Sequence, residues 1–148
     1  MKLQYGRVSV CAETAATTND SWGYKRDDKN FKIPKIIIER LCAVATKGAN
    51  LLINIGPKPD GQIPDEAVNI LTSLGDWMRV NSDAIYTTEA SPFMSDFSFG
   101  WATQKDNNLY LFLKDPTREI TIYGLKNEVL SISNMAGEKD EVNHLAEN

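Results

Sequence analysis

The chain has 148 residues, with 16 Lys plus Arg against 20 Asp plus Glu, 42% hydrophobic residues and two cysteines. A net charge of -4 with no block of consecutive basic residues gives no field to gather a phosphate backbone, which excludes general nucleic-acid binding and disfavours an anionic membrane surface. No stretch approaches the ~18 consecutive apolar residues of a membrane span, so no membrane insertion is expected. Cys11 and Cys42 are too few for a disulfide framework and read as buried thiols, although a single bridge is compatible with the count.

In chain order, Lys2 and Arg7 precede no apolar core of a secretory signal, so none is expected in this chain. From Arg7, Val8, Val10 and Ala12 alternate with Ser9 and Cys11, which predicts a short strand ending at Glu13. The turn formers Thr17 to Ser21 follow, then Trp22-Gly23-Tyr24 and the charged run Lys25 to Lys29, read as a solvated loop. Pro34 opens a helix with Ile37, Leu41, Val44 and Ala45 on one face, and Gly48 stands where a C-terminal cap belongs. Asn50 introduces Leu51-Leu52-Ile53-Asn54-Ile55, apolar on both faces and stopped by Gly56-Pro57, the pattern of a buried parallel strand. After Pro64 a second helix carries Ala67, Leu71, Leu74 and Met78 on one stripe, with Asp65 and Glu66 in its first turn, and ends near Asn81.

Two successive strand-helix units predict a parallel sheet with crossover helices, yet two units do not close a barrel that takes about 250 residues. The expectation is therefore a chain that begins inside a larger fold. Beyond Ala90-Ser91-Pro92 the period changes: Phe97, Phe99 and Trp101 alternate with polar residues, Lys105 to Asn108 supplies a turn, and Leu109, Leu111 and Leu113 alternate with Tyr110 and Phe112. Further strands are predicted at Glu119–Tyr123 and Val129–Ser133, and the polar tail from Glu138 is expected to fray or to be the stump of a longer segment.

In a parallel barrel the working groups lie at the carboxyl ends of the strands. That rule selects Glu13, read either as a carboxylate in the mouth of a site or as a strand-end partner of Arg7 or Lys25. Trp22 and Tyr24 are candidates to stack on a ring-shaped ligand, against the commoner use of aromatics as core fillers. Asn54, in a buried strand, needs its amide satisfied and reads as structural. Gly56-Pro57-Lys58-Pro59-Asp60-Gly61 fails the spacing of a phosphate loop, and its prolines lack the backbone donors of such a cradle. His144 has no second histidine or cysteine beside it, so neither a metal site nor any other cofactor is expected.

Taken together, Asn19-Asp20-Ser21-Trp22-Gly23-Tyr24, then Lys47 to Gly61 with its asparagine-leucine-leucine-x-asparagine-x-glycine-proline core, then Leu74-Gly75-Asp76-Trp77-Met78 with Asn81, Ala84, Ile85 and Tyr86, resemble the α-L-fucosidases of glycoside hydrolase family 29. The resemblance covers Glu13 to about Tyr86. It implies an α/β fold: the last two strand-helix units of a (β/α)8 TIM barrel over residues 1-90, then the start of an antiparallel β-sandwich over 91-148. It implies a retaining glycosidase that removes terminal α-linked L-fucose from fucosylated glycans through a covalent glycosyl-enzyme, without a cofactor, outside the cytoplasm. Glu13 carries over as a pocket residue with a catalytic role, with Ala12 where many members have tryptophan. Trp22 and Tyr24 carry over as substrate-binding residues, and Asn54, Gly56 and Pro57 as structural residues near the site. The family's aspartate nucleophile matches nothing in this chain, so the isolated chain is expected to be inactive. The alternative is a non-catalytic carbohydrate-binding or interaction module presenting Phe97, Phe99, Trp101 and Tyr110, which requires that face of the β region to be exposed.

Overall fold

A computed structural model describes residues 12–93, 96–115, 119–135 and 139–140. The first strand, β1 (Glu13–Thr17), pairs in parallel with β2 (Asn50–Asn54), in a register that sets Glu13 opposite Asn50 and Thr17 opposite Asn54. The helix α1 (Pro34–Ala45) makes the connection that parallel neighbours require. Pro34 occupies its first turn, where a missing N–H costs nothing. At its end Gly48 adopts φ +68° and donates its N–H to the Ala45 carbonyl at 2.9 Å, the left-handed cap that glycine supplies. A second helix, α2 (Asp65–Asn81), follows β2 and runs into a 3-10 turn at Ser82–Ala84.

Both helices fall where their punctuating residues place them, but β1 does not. The strand expected to end at Glu13 instead begins there in its pairing with β2, and Arg7 to Cys11 lie outside the described residues. The reason is register: Asn50 N–H donates to the Ala12 carbonyl at 2.9 Å, so pairing starts where β2 starts and continues to Thr17. β2 is also less covered than its apolar sequence suggests, with Leu52 43% exposed, because β1 is its only neighbouring strand among the described residues.

The second half forms an antiparallel hairpin of β3 (Gly100–Lys105) and β4 (Asn108–Leu113), turning at Asp106 with φ 53°. The turn lies within the predicted Lys105 to Asn108. Phe97 and Phe99 precede the strand rather than belong to it: Gly100 N–H donates to the Phe97 carbonyl at 3.2 Å, and the two rings stack at 4.6 Å. Glu119–Tyr123 is not a strand, and of Val129–Ser133 only β5 (Ile132–Ser133) pairs, with β6 (Lys139–Asp140). Isoleucine and threonine alternation is a disposition to pair, and no described strand pairs with 119–123.

The core joins the two halves. Cys42 of α1, Ala84 of the 3-10 turn and Phe112 of β4 are buried together, with Ile38, Trp77, Ile85, Trp101 and Tyr110 packed around them. Burial pushes the Cys42 thiol up to about 12. Thr46, at the end of α1, is buried and serves the edge of β3 as a neighbouring strand would: its hydroxyl donates to the Ala102 carbonyl and accepts the Ala102 N–H at 3.2 Å. Thr103 Oγ1 donates to the Ala84 carbonyl at 2.7 Å, and Lys35 of α1 meets Asp115 at 3.1 Å.

Candidate functional site

Two loops leave the carboxyl ends of the parallel pair, residues 18–33 after β1 and 55–64 after β2. They lie against one another. The Asn54 side-chain amide donates to the Trp22 carbonyl, while the Asn54 carbonyl accepts the Thr18 N–H at 3.3 Å. Gly56 is buried where a Cβ would lie 2.7 Å from the Tyr24 nitrogen and 2.8 Å from the Gly23 carbonyl carbon, so only a glycine lets the loops close this far. Asn54 and Gly56 thus hold the two loops together by a hydrogen bond and a close backbone approach. Pro57 follows Gly56 at an exposed position, fixing the direction of the second loop. That loop then turns through Asp60 and Gly61 (φ +84°), with Gly61 N–H donating to the Lys58 carbonyl and Lys58 N–H to the Gln62 carbonyl, both at 2.8 Å.

The first loop is organised by Asp28. Its Oδ2 accepts from the Ser21 hydroxyl at 2.8 Å, the Asn19 amide at 2.9 Å and the Asp20 N–H at 3.1 Å, and its Oδ1 accepts from the Asn30 N–H at 3.1 Å. The Ser21 hydroxyl, with smaller help from the backbone donors, holds the Asp28 carboxyl below the usual carboxylate range against the opposing effect of desolvation. Asn30 donates to Asp20 at 2.7 Å, and the Lys32 ammonium reaches Thr17 Oγ1 at 3.2 Å and the Asn19 carbonyl. Asp28 was not legible as a node, because a charged run reads as solvated. The signal was the Asn19-Asp20-Ser21 triplet, three polar groups that need one acceptor.

Between the loops and the start of α2 lies a cavity of about 190 Å³, lined from the first loop by Thr18, Tyr24 and Lys25, from the second by Gly56 and Lys58, and from α2 by Asp65 to Ala67. Trp22 stands at the rim of the same loop pair, 59% exposed, its carbonyl rather than its ring held by Asn54. Tyr24 reaches the cavity. Glu13 does not join them: it opens β1, roughly 13 Å from Thr17 at about 3.3 Å per residue, and is exposed at the amino end of the pair. The premise that made it a strand-end carboxylate is therefore corrected.

In the hairpin, Trp101 and Tyr110 pack on the core and Lys114 sits 4.8 Å over the Trp101 ring, so these aromatics do not form an open platform. Among the described residues no group of three His, Cys, Asp or Glu side chains is placed to hold a metal, and His144 lies outside them.

The family model for α-L-fucosidase matches residues 7–83. A crystal structure of the α-L-fucosidase from Vibrio sp. strain EJY3 is 41% identical, with a TM-score of 0.69 over 71% of this chain and 18% of that one. α-L-Fucosidase isoenzyme 1 from Paenibacillus thiaminolyticus is 33% identical, with a TM-score of 0.82 over 88% of this chain and 31% of that one. A family 29 α-L-fucosidase from Bacteroides thetaiotaomicron, trapped as a covalent intermediate in complex with 2-fluoro-fucosyl fluoride, is 27% identical, with a TM-score of 0.62 over 68% of this chain and 24% of that one. The chain spans about a fifth of the length of the curated relatives it matches. The family model covers just over half of the chain, and with the fold established by these neighbours and the two interlocked loops in place, the chain belongs to the α-L-fucosidase family.

Proposed function

We propose that the chain supplies the last two strand-helix units of a (β/α)8 catalytic barrel (residues 1-90) and the start of a β-sandwich (residues 91-148) to a retaining α-L-fucosidase acting on terminal α-linked L-fucose of glycans. The observation that carries this reading is the closure of the Trp22-Gly23-Tyr24 loop onto Asn54 and Gly56 at the carboxyl ends of parallel strands, the side of a barrel on which its enzymes work. Trp22 and Tyr24 are the pocket-wall residues. Trp22 offers an exposed ring suited to the apolar face of a pyranose, and Tyr24 lines the adjoining cavity.

In the retaining reaction one carboxylate attacks the anomeric carbon as a second, protonated carboxyl group gives its proton to the departing oxygen; that group, now a carboxylate, then takes a proton from the water that releases the sugar from the covalent glycosyl-enzyme. The trapped intermediate of the Bacteroides relative supports that course for this family. The first carboxylate, an aspartate in the family, has no counterpart in this sequence, and Glu13 at the amino end of β1 is not positioned with Trp22 and Tyr24. The residues present therefore wall and shape the pocket, and the isolated chain does not turn over substrate. The compartment is extracytoplasmic, as the family resemblance implies; no helix among the described residues is long and apolar enough to cross a membrane.

The test is an assay of the purified 148-residue chain on a chromogenic α-L-fucoside. No release above the buffer rate is expected, and saturable hydrolysis would overturn the assignment of the nucleophile to residues this chain does not hold.

A further inference from the structure

The cavity beside Tyr24 has the makings of an anion site. The N-cap of α2 is Pro64, which makes no side-chain cap, so the N–H groups of Asp65, Glu66 and Ala67 have no intrahelical acceptor where they line the cavity. A helix N-terminus of this kind favours negative charge. Independently, Thr18 lines the same cavity at 1% exposure, and among the described residues its hydroxyl has no hydrogen-bond partner. A buried hydroxyl left unpaired is costly, and a ligand oxygen would satisfy it. Lys25, Lys29 and Lys58 converge on the cavity, and none of them makes an ion pair among the described residues.

Asp28, Asp65 and Glu66 also line the cavity, which leaves its formal charge balanced against the three lysines. Asp28 has both oxygens committed to its own loop, and Asp65 and Glu66 are exposed on the first turn. Such a balance suits one oxyanion on a hydroxyl-rich neutral body and opposes a polyanion such as a polyphosphate.

We propose that this cavity binds an anionic saccharide, seating a single sulfate ester or carboxylate of the glycan between the start of α2, Thr18 and Lys58. The saccharide part of the proposal rests on the fucosidase reading; the oxyanion part rests on the cavity alone.

The test is amide-resolved NMR titration of the 148-residue chain with a sulfated fucoside, a uronic acid disaccharide, neutral L-fucose and inorganic sulfate. The expected result is saturable shifts at Thr18 and Asp65 to Ala67 with one or both anionic saccharides, the tighter of the two identifying the charged group, and no such shifts with L-fucose. Lys58→Gln, with Lys58→Met as a second variant should the first lose its amide dispersion, weakens that binding about tenfold, the effect of one charge-assisted hydrogen bond. Equal shifts with L-fucose, equal affinity for inorganic sulfate (an adventitious ion only), or no saturable shift would each overturn the proposal. Because the readout is binding rather than hydrolysis, failure of this proposal is distinguishable from failure of the fucosidase reading in its own assay.

Discussion

Gly56→Ala is the substitution in which the geometry of the site translates most directly into energy. Its new Cβ would lie 2.7 Å from the Tyr24 nitrogen, 2.8 Å from the Gly23 carbonyl carbon and 3.1 Å from the Gly23 oxygen. Comfortable non-bonded contacts sit at about 3.5–4.0 Å, so the shortfall is about 0.8 Å against atoms of the backbone, which cannot swing aside as a side-chain tip can. The loops must part. Overpacking of this kind costs about 1–3 kcal/mol, and losing the Asn54 to Trp22 hydrogen bond adds about 1 kcal/mol, giving about 2–4 kcal/mol in all. With a urea dependence of about 2 kcal/mol per molar, the unfolding midpoint falls by about 1–2 M. Gly75→Ala is the control: its Cβ meets nothing within 4 Å, and in the interior of α2 the change stabilises by about 0.5–1 kcal/mol. A Gly56→Ala midpoint equal to that of the parent protein would refute the argument that the two loops are locked by backbone contact at this point.

Other outcomes follow from the same structure. Thr46→Val removes the hydroxyl that serves both the N–H and the carbonyl of Ala102, and is expected to cost about 2–3 kcal/mol in urea unfolding; a loss below about 0.5 kcal/mol would show that β3 does not depend on it. Asp28 has its carboxyl held below the ordinary range, so its contribution is present above the unfolded carboxylate range and is lost as pH falls through the depressed folded value. Hydrogen-exchange protection across residues 19–30 should therefore fall on acidification in the parent protein and be low and pH-independent in Asp28→Asn. The Cys42 thiol, pushed up to about 12, should resist alkylation at pH 8 in the folded protein and react once urea unfolds it, read peptide by peptide in a mass spectrometer; rapid labelling of folded protein would contradict its burial.

How much was legible depended on punctuation. Pro34, Gly48 and Pro64 bracket the two helices, each acting through its own backbone geometry, and both helices lie where those residues put them. The hairpin turn was legible for the same reason, since strict alternation from Leu109 to Leu113 leaves only Lys105 to Asn108 to reverse the chain. The end of β1 falls at Thr17 rather than Glu13, because the small and polar residues Thr14 to Thr17 carry almost no periodic signal; the register with β2 decides where pairing ends, and that is a non-local fact. Glu13 fell with it. The strand expected at Glu119–Tyr123 is absent although its residues have strand propensity, and no described strand pairs with this segment.

In the site, the need for a close neighbour was legible at Asn54, a polar residue in an apolar strand, and at Gly56, the glycine that follows it. The identity of that neighbour, the Gly23-Tyr24 backbone, was not. The node at Asp28 was hidden because its donors Asn19 and Ser21 lie 9 and 7 residues away, and a carboxylate in a charged loop has no sequence mark of being satisfied. The cavity at the head of α2 leaves no mark in the sequence either, since an uncapped helix start is defined by an absence.

The most direct test is a chimera in which residues 7–83 of this chain replace the matching segment of the full-length Paenibacillus thiaminolyticus α-L-fucosidase, assayed on a chromogenic α-L-fucoside. The account predicts a folded chimera that hydrolyses the fucoside and loses activity on Trp22→Ala. A chimera with the circular dichroism and melting cooperativity of its parent enzyme, yet with no hydrolysis, would contradict the claim that these two loops form part of a fucosidase active site.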